Sequence, residues 1–474
     1  MDFIKKNKGI LVFAFIVALL IFSVMLLLPK FQSQVAITFE VIDQKRIGAA
    51  ADGWSGTVPF DAEMGFSVEN IGDLNKDGFT DLAIGAYNDN VTGPGMGSVW
   101  IVFLNGSQQI IGQQKIDMAN GGFTGPFTND AHFGTAVESI GDLDGDGVND
   151  LAVGAFSDYN GGVSTGSVFI LFMNTDGTVK SDVKIAEGLA GLKIGLQQSD
   201  GFGAGIGALG DLNKDKTVDI IVGALGDDQG ANGGGAAYVL FLNPDGTVKA
   251  TQKITEGIGG FTGDLDDNDQ IGRLTAIPDL DGDGIVDVAV GAFLDDDGGL
   301  DAGAIYIWFM NTDGTVKSHE KISSTTKTGM FGMFTSGDNF GSGVGDAGDM
   351  DGDGVGDLLG GAFFDSGSGF GQGAGYVMLM NTDGTVRESF KISNGKGGLP
   401  DATLDDVDSF GIDMTGMGDL DGNGYLDIAA GAWLDWFPTL QSGSVWLMYA
   451  DHYLYRSHQT KPTDHRLGYL LGSD

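Results

Sequence analysis

Beyond residue 30 the chain is patterned for strands, and no helical period appears. A short apolar start, Phe133-Gly134-Thr135-Ala136-Val137, is followed by an acidic loop and a second apolar run, Leu151-Ala152-Val153-Gly154-Ala155. A glycine-rich stretch, 157–166, leads to a third run, Ser167-Val168-Phe169-Ile170-Leu171-Phe172-Met173. Asn174-Thr175-Asp176-Gly177 then reads as a tight hairpin turn, because Asp-Gly tolerates positive φ. A fourth run ends in Lys184-Ile185, and a second glycine-rich connection reaches Phe202-Gly203, where the pattern restarts. Short apolar runs bounded by turn residues predict four antiparallel strands in one small sheet.

Every part has copies. The Phe-Gly start recurs at Phe340 and Phe410, with Met64-Gly65 and Ile271-Gly272 as variants. Gly-Ala plus a bulky residue closes the second strand at Tyr87, Phe156, Leu225, Phe293, Phe363 and Trp433, and the Asp-Gly turn recurs at Asp245, Asp313 and Asp383. Six four-stranded units of about seventy residues predict an all-β, six-bladed β-propeller, in which radial repetition protects the sheet edges. A seventh blade is the alternative, but residues 451–474 are too few to build one.

Fourth strands end at Lys115-Ile116, Lys184-Ile185, Lys253-Ile254, Lys321-Ile322 and Lys391-Ile392, whereas the last repeat stops at Val445–Tyr449. Arg46-Ile47 stands 69 residues before Lys115-Ile116, so the strand around 35–47 is expected to complete the sixth blade and leave no open edge. The propeller is expected over 31–450, with 451–474 as a tail. Ahead of it, Lys5, Lys6 and Lys8 precede an uncharged apolar run from Gly9 to Leu28. At about 1.5 Å per residue that run matches a bilayer core of roughly 30 Å. Residues 1–30 are therefore expected to be a hydrophobic helix acting as an uncleaved anchor, with a cleaved signal peptide as the alternative. Either way the ring lies outside the cell, at its surface or secreted.

The acidic loop joining the first two strands carries the candidate chemistry. In the second repeat Asp142, Asp144, Asp146 and Asp150 occupy positions 1, 3, 5 and 9, with Gly147 at position 6. Hard oxygens at alternate positions around one sharp turn suit Ca²⁺. An EF-hand is excluded, because Val153 stands where its twelfth-position Glu is needed and a strand follows at once. The same positions hold Asp73, Asn75, Asp77 and Asp81; Asp211, Asn213, Asp215 and Asp219; Asp279, Asp281, Asp283 and Asp287; Asp349, Asp351, Asp353 and Asp357; and Asp419, Asp421, Asn423 and Asp427. First positions are 69, 69, 68, 70 and 70 residues apart, and six acidic loops in register predict up to six Ca²⁺.

Composition sharpens this picture. Net charge is −40, of which the loops account for about half, and so acidic a chain excludes nucleic acid as partner. Cysteine is absent, so rigidity outside the cell must come from packing and metal rather than disulfides, which points to a prokaryotic source.

These residues resemble the FG-GAP repeat, the blade unit of the integrin alpha-subunit propeller, over residues 45–450. The Phe-Gly start, the Asp-x-Asp/Asn-x-Asp-Gly-x-x-Asp loop and the Gly-Ala close all match. The proline that ends the family's Gly-Ala-Pro is replaced in all six copies. The family has seven blades with calcium loops in some, against six repeats here, all with a loop. The resemblance implies calcium-dependent folding and adhesion or protein recognition. It adds the seventh-position backbone carbonyls of Phe79, Val148, Thr217, Ile285, Val355 and Tyr425 to the ligand set. The third loop is expected to bind most weakly, because Lys216 replaces glycine and Lys214 adds charge.

Calcium loops and Asp-Gly turns share one face, so a protein or glycan partner is expected on the opposite, loop-rich face. The aromatics Phe123, Phe127, Phe261, Phe331, Phe334, Trp433, Trp436 and Phe437 are either binding anchors there or plugs between blades. No His-Glu-x-x-His, Gly-x-Ser-x-Gly or phosphate loop occurs, so a non-catalytic module is expected. A polysaccharide-active enzyme is the alternative, marked by carboxylates outside the loops converging in one deep pocket, and a structural envelope component is a third reading.

Overall fold

The structure, a computed structural model, describes residues 36–455 apart from 50, 52, 327, 328, 368 and 437–441. Contacts separate a unit Phe39–Asp451 from a terminal unit made of Met1–Thr38 and His452–Asp474. The expected helix at 1–30 and most of the tail lie outside the described residues, and no described helix is long and apolar enough to cross a membrane.

Phe39–Asp451 is a six-bladed propeller of four-stranded sheets. The second blade shows the plan: Phe133–Gly141, Asp150–Ala155, Ser167–Met173 and Val179–Ile185, each antiparallel to the next. Second and third strands such as Asp150–Ala155 and Ser167–Met173 are buried along their whole length, as their unbroken apolar runs require. Fourth strands such as Val179–Ile185 are buried only at their ends. The sixth sheet orders Ala36–Ile47 beside Ser444–Tyr455, then Asp427–Ala432 and Phe410–Gly418, so the first described strand completes the last blade.

The joints between blades explain the repeated glycines. A parallel bridge links Gly97 to Phe133, Gly166 to Phe202, Gly235 to Ile271, Gly303 to Phe340, Gly373 to Phe410 and, across the closure, Gly443 to Met64. The glycine of each Gly-Ala close meets the carbonyl of the next blade's Phe-Gly glycine. A Cβ on Gly154 would lie 2.0 Å from Gly203 O, and one on Gly431 would lie 1.8 Å from Gly65 O across the closure. No side chain fits such a gap, so the two glycine motifs are the two halves of one joint. Between blades the core fills with aromatics: Phe123, Phe127, Phe133 and Phe169 pack together, with Phe127 stacked on Phe133 at a ring-centroid spacing of 5.1 Å.

Candidate functional site

Each acidic loop is organised by its own carboxylates. In the second, Asp142 accepts from the backbone N–H of Gly145, Asp146 and Gly147, Asp144 from that of Asp146, and Asp146 from that of Val148. The other loops repeat this wrapping, as at Asp349 and Asp353 in the fifth. The loop is thereby wound so that its oxygens converge. Carboxylate oxygens lie within 4.8 Å of one another for Asp142, Asp144 and Asp146; Asp279, Asp281 and Asp287; Asp349, Asp351 and Asp353; and Asp419, Asp421 and Asp427. The first and third loops carry Asn75 and Asn213 at position 3, so fewer carboxylates converge there. A donor set of hard oxygens at this spacing fits a calcium ion.

Position 9 has a second task. Asp150 is buried, with one oxygen accepting from Leu143 N at 3.0 Å and the other from Met173 N at 2.9 Å, at the end of the third strand. Asp81, Asp287, Asp357 and Asp427 make the same two bonds, and Asp219 reaches Asn213 N and Leu242 N. These residues tie the loop to the body of the blade. Burial pushes Asp150 up to about 6 and Asp287 to about 7.

Two features escaped sequence reading. In four loops a cation from the fourth strand sits on the position 3 and 5 carboxylates: Lys180 on Asp144 (2.5 Å) and Asp146, Lys249 on Asp215 (2.5 Å), Lys317 on Asp281 (2.6 Å) and Asp283, and Arg387 on Asp351 and Asp353. Lys180 stands four residues before Lys184, and at that register the first and sixth blades have exposed Ile111 and Ile42 instead. Secondly, the Lys of each Lys-Ile end pairs with a buried Asp after the Gly-Ala close. The pairs are Lys115–Asp89 (2.7 Å), Lys184–Asp158 (2.6 Å), Lys253–Asp227 (2.7 Å), Lys321–Asp295 (2.5 Å), Lys391–Asp365 (2.5 Å) and Arg46–Asp435. The same cations lie over third-strand rings, as Lys184 does over Phe169 at 5.6 Å.

In the third loop Lys216 adopts φ 76°, the left-handed conformation that glycine holds in the other five. Of the aromatics expected on the loop-rich face, Phe123, Phe127, Phe261 and Phe334 are buried plugs, because the glycine-rich connectors fold back between blades. Phe331 and Trp436 are exposed, Trp433 packs on Phe66 at 5.3 Å, and Phe437 lies outside the described residues. Leu300 and Phe370, 66% and 72% exposed, add apolar surface to the connectors that sequence reading passed over.

A cavity of about 380 Å³ lies on the axis, lined by the innermost strands of all six blades. Glu69, Glu138, Asp346 and Asp413 face it together with Arg273. Enclosure pushes every one of these carboxyls upward, Glu138 to about 8 and Asp413 to about 7.

The FG-GAP repeat family matches residues 66–102, within the first blade. Integrin alpha-V of Gallus gallus is 35% identical over 175 residues, covering 35% of this chain and 15% of the integrin. Integrin alpha-6 of Homo sapiens is 32% identical over 166 residues, 35% of this chain and 13% of that protein. Phosphatidylinositol-glycan-specific phospholipase D of Bos taurus is 27% identical over 201 residues, 42% of this chain and 22% of the enzyme. The matched stretch thus spans less than a quarter of each relative's length.

Proposed function

We propose that the chain, an integrin-alpha-like FG-GAP β-propeller, is a calcium-held recognition module displayed outside the cell, acting in adhesion through a protein or glycan ligand. The observation that carries this reading is the convergence of three carboxylate oxygens within 4.8 Å in four separate loops, each built into the strand turn of a blade. Ligands would be the carboxylates and Asn side chains at positions 1, 3, 5 and 9, from Asp73 to Asp427, with the seventh-position carbonyls. Bound calcium would neutralise charge that the loop cations offset only in part. The ligand would meet the face opposite the loops, where Leu300, Phe331, Phe370 and Trp436 are exposed. Residues 9–28 would tether the module to the membrane.

One observation favours the enzyme reading: four carboxylates outside the loops do share the axial cavity. Three of them, however, fasten an oxygen to a backbone N–H, Glu138 to Ala208, Asp346 to Gly348 and Asp413 to Val68, each at 2.9 Å. Among the described residues no aromatic side chain lines the cavity to stack on a sugar ring. Recognition is therefore the better reading. The test is thermal unfolding of the full chain in calcium, in excess chelator, and in magnesium. A large fall on chelation, restored by calcium and not by magnesium, supports it; an unchanged transition sinks it.

A further inference from the structure

The axial cavity holds chemistry that calcium loops and a loop-face partner leave unused. Among the described residues its walls carry Glu69, Glu138, Asp346 and Asp413 against a single cation, Arg273. That guanidinium is already engaged: it lies over the Phe66 ring at 4.6 Å and donates to Ala204 O at 3.4 Å. Among the described residues no Lys or Arg forms an ion pair with any of the four carboxylates. Each is oriented by hydrogen bonds from the surrounding strands, Glu69 accepting from Thr415 Oγ at 3.3 Å among them.

An independent sign comes from Ser342, on the same strand as Asp346. Ser342 is 2% exposed, lines the cavity, and its Oγ has no hydrogen-bond partner. Buried hydroxyls are ordinarily satisfied, and one left open toward a polar cavity marks a place for a ligand donor or acceptor. The carboxylates reach the cavity from different blades, and no three of them converge within 4.8 Å as carboxylates do in four of the loops. Donors spaced along a chain, which meet the carboxylates separately, suit this spread better than one bare ion does. The absence of aromatic lining argues against a quaternary ammonium, which is recognised by ring faces. About 380 Å³ is within the range of small-ligand sites.

We propose that the axial cavity binds a linear diamine or polyamine, its separated ammonium groups held by Glu69, Glu138, Asp346 and Asp413, with Ser342 Oγ as a further partner. The raised carboxyls fit this, since a bound polycation would draw out their protons.

The test is calorimetry of spermidine against the calcium-saturated full chain in 150 mM salt (chosen to suppress loose attraction to the acidic surface, with a Debye length of about 8 Å). Expected are one site per chain, proton release that grows as pH falls from 8 to 6, and affinity lowered about thirtyfold by Glu69→Gln with Glu138→Gln. The calcium-dependent unfolding shift should stay unchanged in that variant, so failure here is separable from failure of the calcium reading. If the double variant does not fold, Asp346→Asn and Ser342→Ala, each lowering affinity severalfold, carry the test. No binding, affinity indifferent to all these variants, or magnesium displacing spermidine at equal concentration would overturn the proposal.

Discussion

Arg46, at the start of the ring, forms with Asp435, near its end, the ion pair that Lys184 and Asp158 form inside the second blade. Its Nε also donates to Ser444 Oγ at 3.3 Å across 398 residues of sequence. The closure thus uses the fastening found within every other blade, with the cation supplied from the far end of the chain. Asp435 is 1% exposed, so Arg46→Ala would strand a buried charge and should cost about 3–5 kcal/mol in denaturant unfolding. Arg46→Lys, which copies the other five blades, should stay within about 1 kcal/mol of the parent.

The fourth-strand cations should divide the loops into two classes. Lys180, Lys249, Lys317 and Arg387 neutralise the position 3 and 5 carboxylates of the middle blades, while Ile42 and Ile111 leave the sixth and first loops without that competitor. Lys317→Met should tighten calcium at the fourth loop about threefold at low salt, an effect fading as salt rises. Calcium titration followed by spectroscopic probes in single blades would show it. Unchanged affinity would mean the lysine stays on oxygens the ion does not need.

Lys216 holds a conformation that costs an L-residue roughly 1 kcal/mol. Lys216→Gly should therefore raise stability by about that amount in chelator, and should raise it further in calcium because a positive charge beside the third loop is gone. A smaller gain in calcium than in chelator would contradict the expected weakness of that loop.

Stability should fall as pH rises. Glu138, raised to about 8, and Asp413, raised to about 7, bind protons more tightly in the folded ring than in the unfolded chain. Their contribution is whole below about pH 4, the unfolded carboxylate range, and is lost as pH climbs through 7 to 8. Glu69 and Asp346 act in the same direction, and Arg273 beside Asp413 moderates it. Glu138→Gln with Asp413→Asn should flatten the profile, adding on the order of 2 kcal/mol at pH 8 relative to pH 5. Urea midpoints across that range would reveal the change.

The blades were legible because their signals recur: the glycine motifs, the Asp loops and the Lys-Ile ends each gain weight from repetition in register. Lys184-Ile185 served as a register mark, but its Asp158 partner was not legible, since a lone Asp in a glycine-rich connector reads as turn chemistry. The axial carboxylates were hidden for the opposite reason. Glu69 and Glu138 share a register position that is Gly207 in the third blade and Gly345 in the fifth, so no repeat draws attention to them. Phe261 could be read as anchor or plug because its Gly-Gly-Phe-Thr-Gly setting lacks any apolar period, and its ring packs against Trp308 at 5.0 Å.

Because one sheet contains both the first strand of the ring and its last, the molecule has a single mechanical seam. A pull applied between Phe39 and Asp451 would load the sixth blade alone, while the other five are drawn from one continuous run of chain and bear the tension only after that seam parts. Under such a pull the Arg46–Asp435 latch would set the force at which the ring yields.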